Sequence, residues 1–145
     1  KKNHFTILEA RFLLTKSLEP LSEEAKEVLE KRLVKYHKGI KCPGSFFKNL
    51  IASELPFEIL KNIPQDKIVY GKVPAGTLLE MVGAKGQSLG GIEIASYHAN
   101  LFLNTGTGTA KAFYALAQEY AQKVKEKFGI SLEPEVQLIN LPSLI

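Results

Sequence analysis

A chain of 145 residues, 45% hydrophobic and 23% charged, has the size of one globular domain built on a single buried core. Its apolar runs stop far short of the roughly 18 residues that a membrane span needs, since Phe12–Leu14 is soon broken by Lys16 and Glu19. A net charge of +4 suits a polyanionic ligand, but the lysines are interleaved with glutamates and form no arginine-rich or aromatic–basic stripe, which argues against nucleic acid and leaves a nucleotide diphosphate.

Lys1-Lys2 lead into no apolar segment of signal-peptide length, so export is unsupported and a cytoplasmic setting is expected. The first residue is Lys rather than Met, which suggests a piece of something longer. From Phe5 to Leu14, Leu8, Ala10, Phe12 and Leu14 fall on one side at period two and Glu9 and Arg11 on the other, the pattern of a half-buried strand. Pro20 precedes Ser22, an N-cap candidate, and Ala25, Val28, Leu29 and Leu33 make an apolar stripe on a helix expected from Glu23 to Tyr36, with Gly39 as its stop. Lys41-Cys42-Pro43-Gly44 is a loop, and the lone cysteine can make neither an intrachain disulfide nor a multi-cysteine metal site.

Pro56–Lys72, interrupted by Pro64 and Gly71, reads as an irregular connection with one helical turn. A short helix follows over Ala75–Val82, then a glycine-rich turn over Gly83–Gly91, then strands at Ile92–Ala95 and Asn100–Leu103. The clearest element is a long helix from about Gly108 to Phe128, with Ala110, Phe113, Ala117, Ala121, Val124 and Phe128 on one stripe and Gly129 beyond its end. A last strand over Leu132–Ile139 sets Leu132, Val136 and Leu138 against Glu133, Glu135 and Gln137. Together these predict an α+β fold, a single domain of mostly antiparallel sheet packed against helices, in which the long helix lies on a sheet that includes the first and last strands.

Among chemistry-bearing residues, Gly44-Ser45-Phe46-Phe47-Lys48-Asn49 places a serine after a glycine turn at what looks like the start of a helical turn. On that reading Ser45 and Lys48 share a face at the positive end of a helix and could stabilise an anion, although a plain cap and a solvated lysine account for the same residues. Glu135 stands on the polar face of the last strand after Pro134, where a solvent-facing carboxylate is the commonest arrangement. His98 has no second ligand at metal spacing. Asn104-Thr105-Gly106-Thr107-Gly108-Thr109 suggests a phosphate cradle but lacks the endings of both the dinucleotide and the P-loop motifs, and reads as a turn with a threonine cap.

The runs Pro43–Asn49, Pro74-Ala75-Gly76-x-Leu78-Leu79-Glu80, Gly83–Gly91, His98-Ala99-Asn100 and Leu132–Val136 resemble, in order and spacing, the C-terminal domain of the UDP-N-acetylenolpyruvoylglucosamine reductase family. The resemblance implies that residues 1–145 form the substrate-binding domain of a peptidoglycan-building oxidoreductase whose FAD-binding domains lie outside this chain. It implies FAD and NADPH as cofactors of the whole enzyme, neither held by this chain alone, and UDP-N-acetylglucosamine enolpyruvate as substrate. Carried over by position, Ser45 matches the serine that protonates the enol carbon and Glu135 the glutamate that stabilises the intermediate or assists that protonation. Asn49 and His98 match substrate contacts, and Lys48 supports the serine or the diphosphate. The sequence departs from the family pattern at Leu50, where proline is common, at Gln137, where arginine is usual, and in the long link Ile51–Lys72. A UDP-sugar-binding module without turnover, or a basic nucleic-acid-binding domain, are the alternatives.

Overall fold

A computed structural model of the chain describes residues 7–17, 21–36 and 39–144; Phe5 and Pro20, used above to start the first strand and the first helix, lie outside them. The chain divides into two units, Lys1–His37 and Lys38–Ile145. In the first, Ile7–Ser17 has no regular secondary structure, and Leu8, Phe12 and Leu14 are 91%, 81% and 82% exposed. The strand expected there is therefore not formed. Alternation decides which side chains share a face, but a strand exists only where its N–H and C=O groups meet another edge, and Ile7–Leu14 has no ladder partner among the described residues. Helix α1 (Ser22–Lys35) forms where its pattern places it, with Glu23 and Glu24 in the first turn. Its cap position is Leu21, so Ser22 is the first helical residue rather than the cap, and the stripe of Ala25, Val28, Leu29 and Leu33 is exposed.

The second unit holds β1 (Leu50–Ile51), α2 (Phe57–Leu60), β2 (Lys72–Val73), α3 (Ala75–Met81), β3 (Ser88–Leu89), β4 (Ile92–Ile94), β5 (Phe102–Asn104) and α4 (Ala110–Phe128). Strand β1 pairs antiparallel with β2, Leu50 opposite Val73, and β3, β4 and β5 form an antiparallel sheet in chain order. This is the expected α+β architecture. Between β1 and β2, α2 is the single α-helical turn of the predicted irregular link, flanked by short 3₁₀ turns. Among the described residues no helix is long and apolar enough to cross a membrane.

The glycine-rich turn is more than a turn. Leu89 pairs with Ile92 across Gly90-Gly91, both with positive φ, the backbone that a two-residue hairpin loop of the right twist demands. The hairpin then meets the α4 entry loop backbone to backbone. Thr105 N and Thr105 Oγ1 both donate to the Gly91 carbonyl at 3.0 Å, and a Cβ on Gly108 would run into Ile92 Cδ1 and lie 2.7 Å from that carbonyl oxygen. Thr109 caps α4 by accepting from Ala112 N at 3.1 Å, and Gly129, in the left-handed region, closes it with an N–H donated to the Lys125 carbonyl. Ala117, Ala121, Val124 and Phe128 are buried as the stripe requires, joined by Leu116 and Tyr120, while Ala110 is exposed. The helix packs on α3 and the β3–β4 hairpin. Among the described residues, no sheet contains the expected first and last strands.

Residues 132–138 keep the predicted alternation, with Leu132 buried, Val136 and Leu138 half-buried and Glu133, Glu135 and Gln137 exposed, yet they make no strand. A single bridge, Phe47 to Pro134, joins them to residues 46–48, with Lys48 N donating to the Glu133 carbonyl at 2.9 Å and Glu135 N to the Phe46 carbonyl at 2.7 Å. Phe47 and Pro134 are thus a non-hydrogen-bonded pair, the one register in which a proline lacking an N–H costs the ladder nothing.

On its other side the segment 45–48 bridges Leu101 through Ser45, and Phe46 N donates to the Asn100 carbonyl at 3.0 Å. The Asn100 side chain completes this edge: its Oδ1 accepts from Phe47 N and its Nδ2 donates to the Phe47 carbonyl, each at 2.8 Å. Phe46 and Phe47 are covered on both faces, 2% and 0% exposed, and Phe46 stands 4.8–5.3 Å, ring centre to centre, from Phe47, Phe102 and Phe113.

Two stability outcomes follow from this packing. Asn100→Leu orphans both polar groups of Phe47 at a cost of about 1–3 kcal/mol each, and Asn100→Asp, which keeps only the acceptor, falls between it and the parent; a urea unfolding free energy within about 0.5 kcal/mol of the parent for Asn100→Leu contradicts the clamp. Gly108→Ala lowers the unfolding midpoint with little change in slope, by about 1–3 kcal/mol, because the added methyl overpacks the hairpin.

Candidate functional site

Ser45 is not at a helix start. The carbonyls of Phe46 and Phe47, which a helix would offer to N–H groups four residues on, accept instead from Glu135 N and Asn100 Nδ2, and two consecutive buried phenylalanines fit a two-sided strand rather than one helical face. The expected help from a helix dipole, and the shared helical face of Ser45 and Lys48, are accordingly withdrawn.

What replaces the helix is a pair of extended segments. The Phe47–Pro134 register sets Lys48 beside Glu133 and Phe46 beside Glu135, so Ser45 comes opposite Val136 and stands one position out of register with Glu135. Both are exposed. One end of the pair borders a cleft of about 350 Å³ lined by Lys48, Asn49, Glu54, Ser131 and Glu133 with Leu50, Ile51 and Leu55. The other end borders an apolar cleft of about 320 Å³ whose walls include Pro43, Phe46, Phe113, Tyr114, Val136 and Gln137. Ser45 and Glu135 line neither of these two clefts.

Lys48 Nζ meets Glu133 Oε2 at 2.7 Å. That hydrogen bond, reinforced by the charge of Glu133 and by Glu135, raises the Lys48 ammonium above its usual range, and the same bond and the Lys48 charge hold Glu133 below the usual carboxylate range. The depressed carboxyl favours the folded chain above its unfolded value and loses that effect as pH falls through its folded value. The raised ammonium loses its contribution as pH rises through its own.

Asn49 Oδ1 accepts from Ala75 N at 3.2 Å, taking up an N–H at the start of α3 that the preceding Pro74 leaves without a side-chain cap. His98 Nδ1 accepts from Asn100 N at 3.2 Å, and its ring lies beside Gly76 of α3, 3.5 Å from where a Cβ would stand. Asn49 and His98 thus converge on the first turn of α3, one through β1 and one through the β4–β5 connection. Leu50, where proline is common, opens β1 opposite Val73.

Asn104 Oδ1 accepts from Gly106 N at 2.8 Å and Gly108 N at 3.0 Å, so the amides that could cradle a phosphate are filled by the loop's own side chain. Asn100 and Glu133 were not singled out by the sequence reading. A polar residue inside Ala99–Leu103 that stays buried must find partners, which is the signal for Asn100. Glu133 carries no such mark, because its partner is far away in the chain.

Residues 35–139 match the family model described as UDP-N-acetylenolpyruvoylglucosamine reductase, C-terminal domain. Among similar proteins, the UDP-N-acetylenolpyruvoylglucosamine reductase of Solibacter usitatus is 44% identical over 120 residues, 83% of this chain and 38% of that protein. The proteins of the same name from Salmonella typhimurium and Porphyromonas gingivalis are 38% and 39% identical over 67% and 66% of this chain, each matched over 30% of its own length. The chain therefore spans between 30% and 38% of the length of these relatives. By that match over residues 35–139, the chain belongs to the UDP-N-acetylenolpyruvoylglucosamine reductase family, as its C-terminal domain.

Proposed function

We propose that residues 1–145 are the substrate-binding domain of a cytoplasmic reductase that converts UDP-N-acetylglucosamine enolpyruvate to UDP-N-acetylmuramate in peptidoglycan synthesis. The observation that supports this best is the pairing of residues 46–48 with 133–135, which brings the positions of Ser45 and Glu135 to successive rungs of one pair although they are far apart in sequence. FAD and NADPH belong to the reading as cofactors held by residues outside those described, and the reduced flavin supplies the hydride. Hydride addition to one carbon of the enolpyruvyl double bond leaves electron density on its neighbour. The Ser45 hydroxyl donates a proton to that carbon, and Glu135 stabilises the enolic form or assists the proton's delivery. Asn49 and His98, both anchored at the start of α3, contact the substrate, and Lys48 answers the negative charge of the serine or of the diphosphate.

The exposure of Ser45 and Glu135 agrees with a site whose walls come partly from another domain, since a proton donor working on a carbanion needs water excluded. Two measurements test the reading. The purified 145-residue chain is expected to be colourless and to leave NADPH unoxidised; a yellow chromophore that co-purifies with it contradicts the assignment of the flavin to other residues. In the intact reductase, Ser45→Ala leaves the bleaching of FAD by NADPH near the parent rate and slows flavin reoxidation by the enolpyruvyl substrate about 10²–10⁴-fold in stopped-flow absorbance. Reoxidation within about threefold of the parent removes Ser45 from the chemistry.

A further inference from the structure

Lys48 and Glu133 meet across the same two-bonded register that holds Ser45 and Glu135. Lys48 N donates to the Glu133 carbonyl at 2.9 Å while Lys48 Nζ meets Glu133 Oε2 at 2.7 Å, so main chain and side chain tie the same two residues. Neither group is deeply buried, with Lys48 48% and Glu133 74% exposed at the side chain. An exposed pair of this kind adds little to stability, so its value lies in where it keeps the ammonium. A free lysine side chain sweeps many rotamers. One tied to the carboxylate opposite is confined to the strand pair, within reach of the field of Glu135 two residues on.

We infer that Glu133 is a positioning residue for the proposed reaction: it holds the Lys48 ammonium against the strand pair, at the cleft that Lys48, Asn49 and Glu133 line together. This rests on the function proposed above. The charged groups around Lys48 are Glu133 and Glu135 from the tail and Glu54 from the 3₁₀ turn after β1, which lines the same cleft. The Glu133 carboxylate accepts from the Lys48 ammonium and holds it above its usual range. That hold is lost in Glu133→Gln, so Lys48 gives up its proton at lower pH in that variant, whereas Glu133→Asp keeps the charge and restores part of the parent behaviour.

Two arms test the inference. In the chain itself, nitrogen-detected NMR follows the Lys48 ammonium through a pH titration. Glu133→Gln is expected to lower the Lys48 midpoint. A midpoint that stays within about 0.2 of the parent overturns the inference, and this arm does not depend on any turnover. In the intact reductase, Glu133→Gln is expected to slow flavin reoxidation several-fold and to move the basic limb of its pH profile to lower pH, with the NADPH step and the melting temperature unchanged. Adding Glu133→Gln to Lys48→Met is expected to cost nothing further. A reoxidation profile equal to the parent's, or losses that multiply in the double variant, overturn it. A parent enzyme that fails to reduce the enolpyruvyl ether counts against the proposed function and leaves the NMR arm to decide the placement of Lys48.

Discussion

The second unit depends on how one short segment, Ser45–Lys48, satisfies its backbone while burying two aromatic rings. A strand with neighbours on both edges ordinarily gets them from two ladders. Here one neighbour is residues 133–135 and the other is largely a single side chain, since Asn100 returns both of its amide bonds to Phe47 and its carbonyl accepts from Phe46. An amide side chain reproduces the donor and acceptor of a peptide group, so Asn100 serves as one more residue of strand where the chain between β4 and β5 turns away. That substitution lets Phe46 and Phe47 point to opposite faces and be covered on each, and Phe46 then collects Phe102 from β5 and Phe113 from α4 into one aromatic cluster.

A second constraint orients α4 on this centre. The β3–β4 hairpin and the loop before α4 touch through backbone, with Gly91 and Gly108 leaving no space for a methyl between them. Contact at that distance fixes the start of the helix relative to the sheet more tightly than side-chain packing does, because no rotamer can absorb a displacement. The Asn104 side chain, bonded to Gly106, Gly108 and the Gly108 carbonyl, holds the loop in the same shape from within. A loop that resembles an anion site in sequence is thereby a rigid corner.

The surface that carries Ser45 and Glu135 inherits its geometry from both. Residues 46–48 are immobilised from behind by Asn100, and the tail 133–135 registers on them through two backbone bonds and the Lys48–Glu133 pair. The proposed acid and carboxylate therefore stand on two exposed segments that are tied to each other through backbone. The side chains of Asn49 and His98 each take up a backbone N–H around the start of α3. Such a surface is pre-organised on one side and open on the other, the form expected of a site that a further domain of the reductase completes.

Local pattern determined a good part of this protein from the sequence alone. The 3.6-residue stripe, the threonine cap and Gly129 located α4 to within two residues, and Ala75–Met81, Ile92–Ile94 and Phe102–Asn104 lie within the predicted short elements or within a residue of them, because each rests on contacts between near neighbours. The motifs around Ser45 and Glu135 likewise carried the family. Tertiary structure alone decided everything that depends on a distant partner. Among the described residues, period two over Ile7–Leu14 looked like a strand and met no edge, the same period over 132–138 met an edge of only three residues, and Ser45 looked like a helix start although Glu135 and Asn100 take the carbonyls that a helix after it would use. The β3 strand hid inside a glycine-rich turn for the same reason, since a two-residue strand is defined by what lies opposite it. A sequence states which groups a segment offers for bonding; which of them are taken up is set by long-range pairing, and here that pairing turned a helix cap into the edge of a strand.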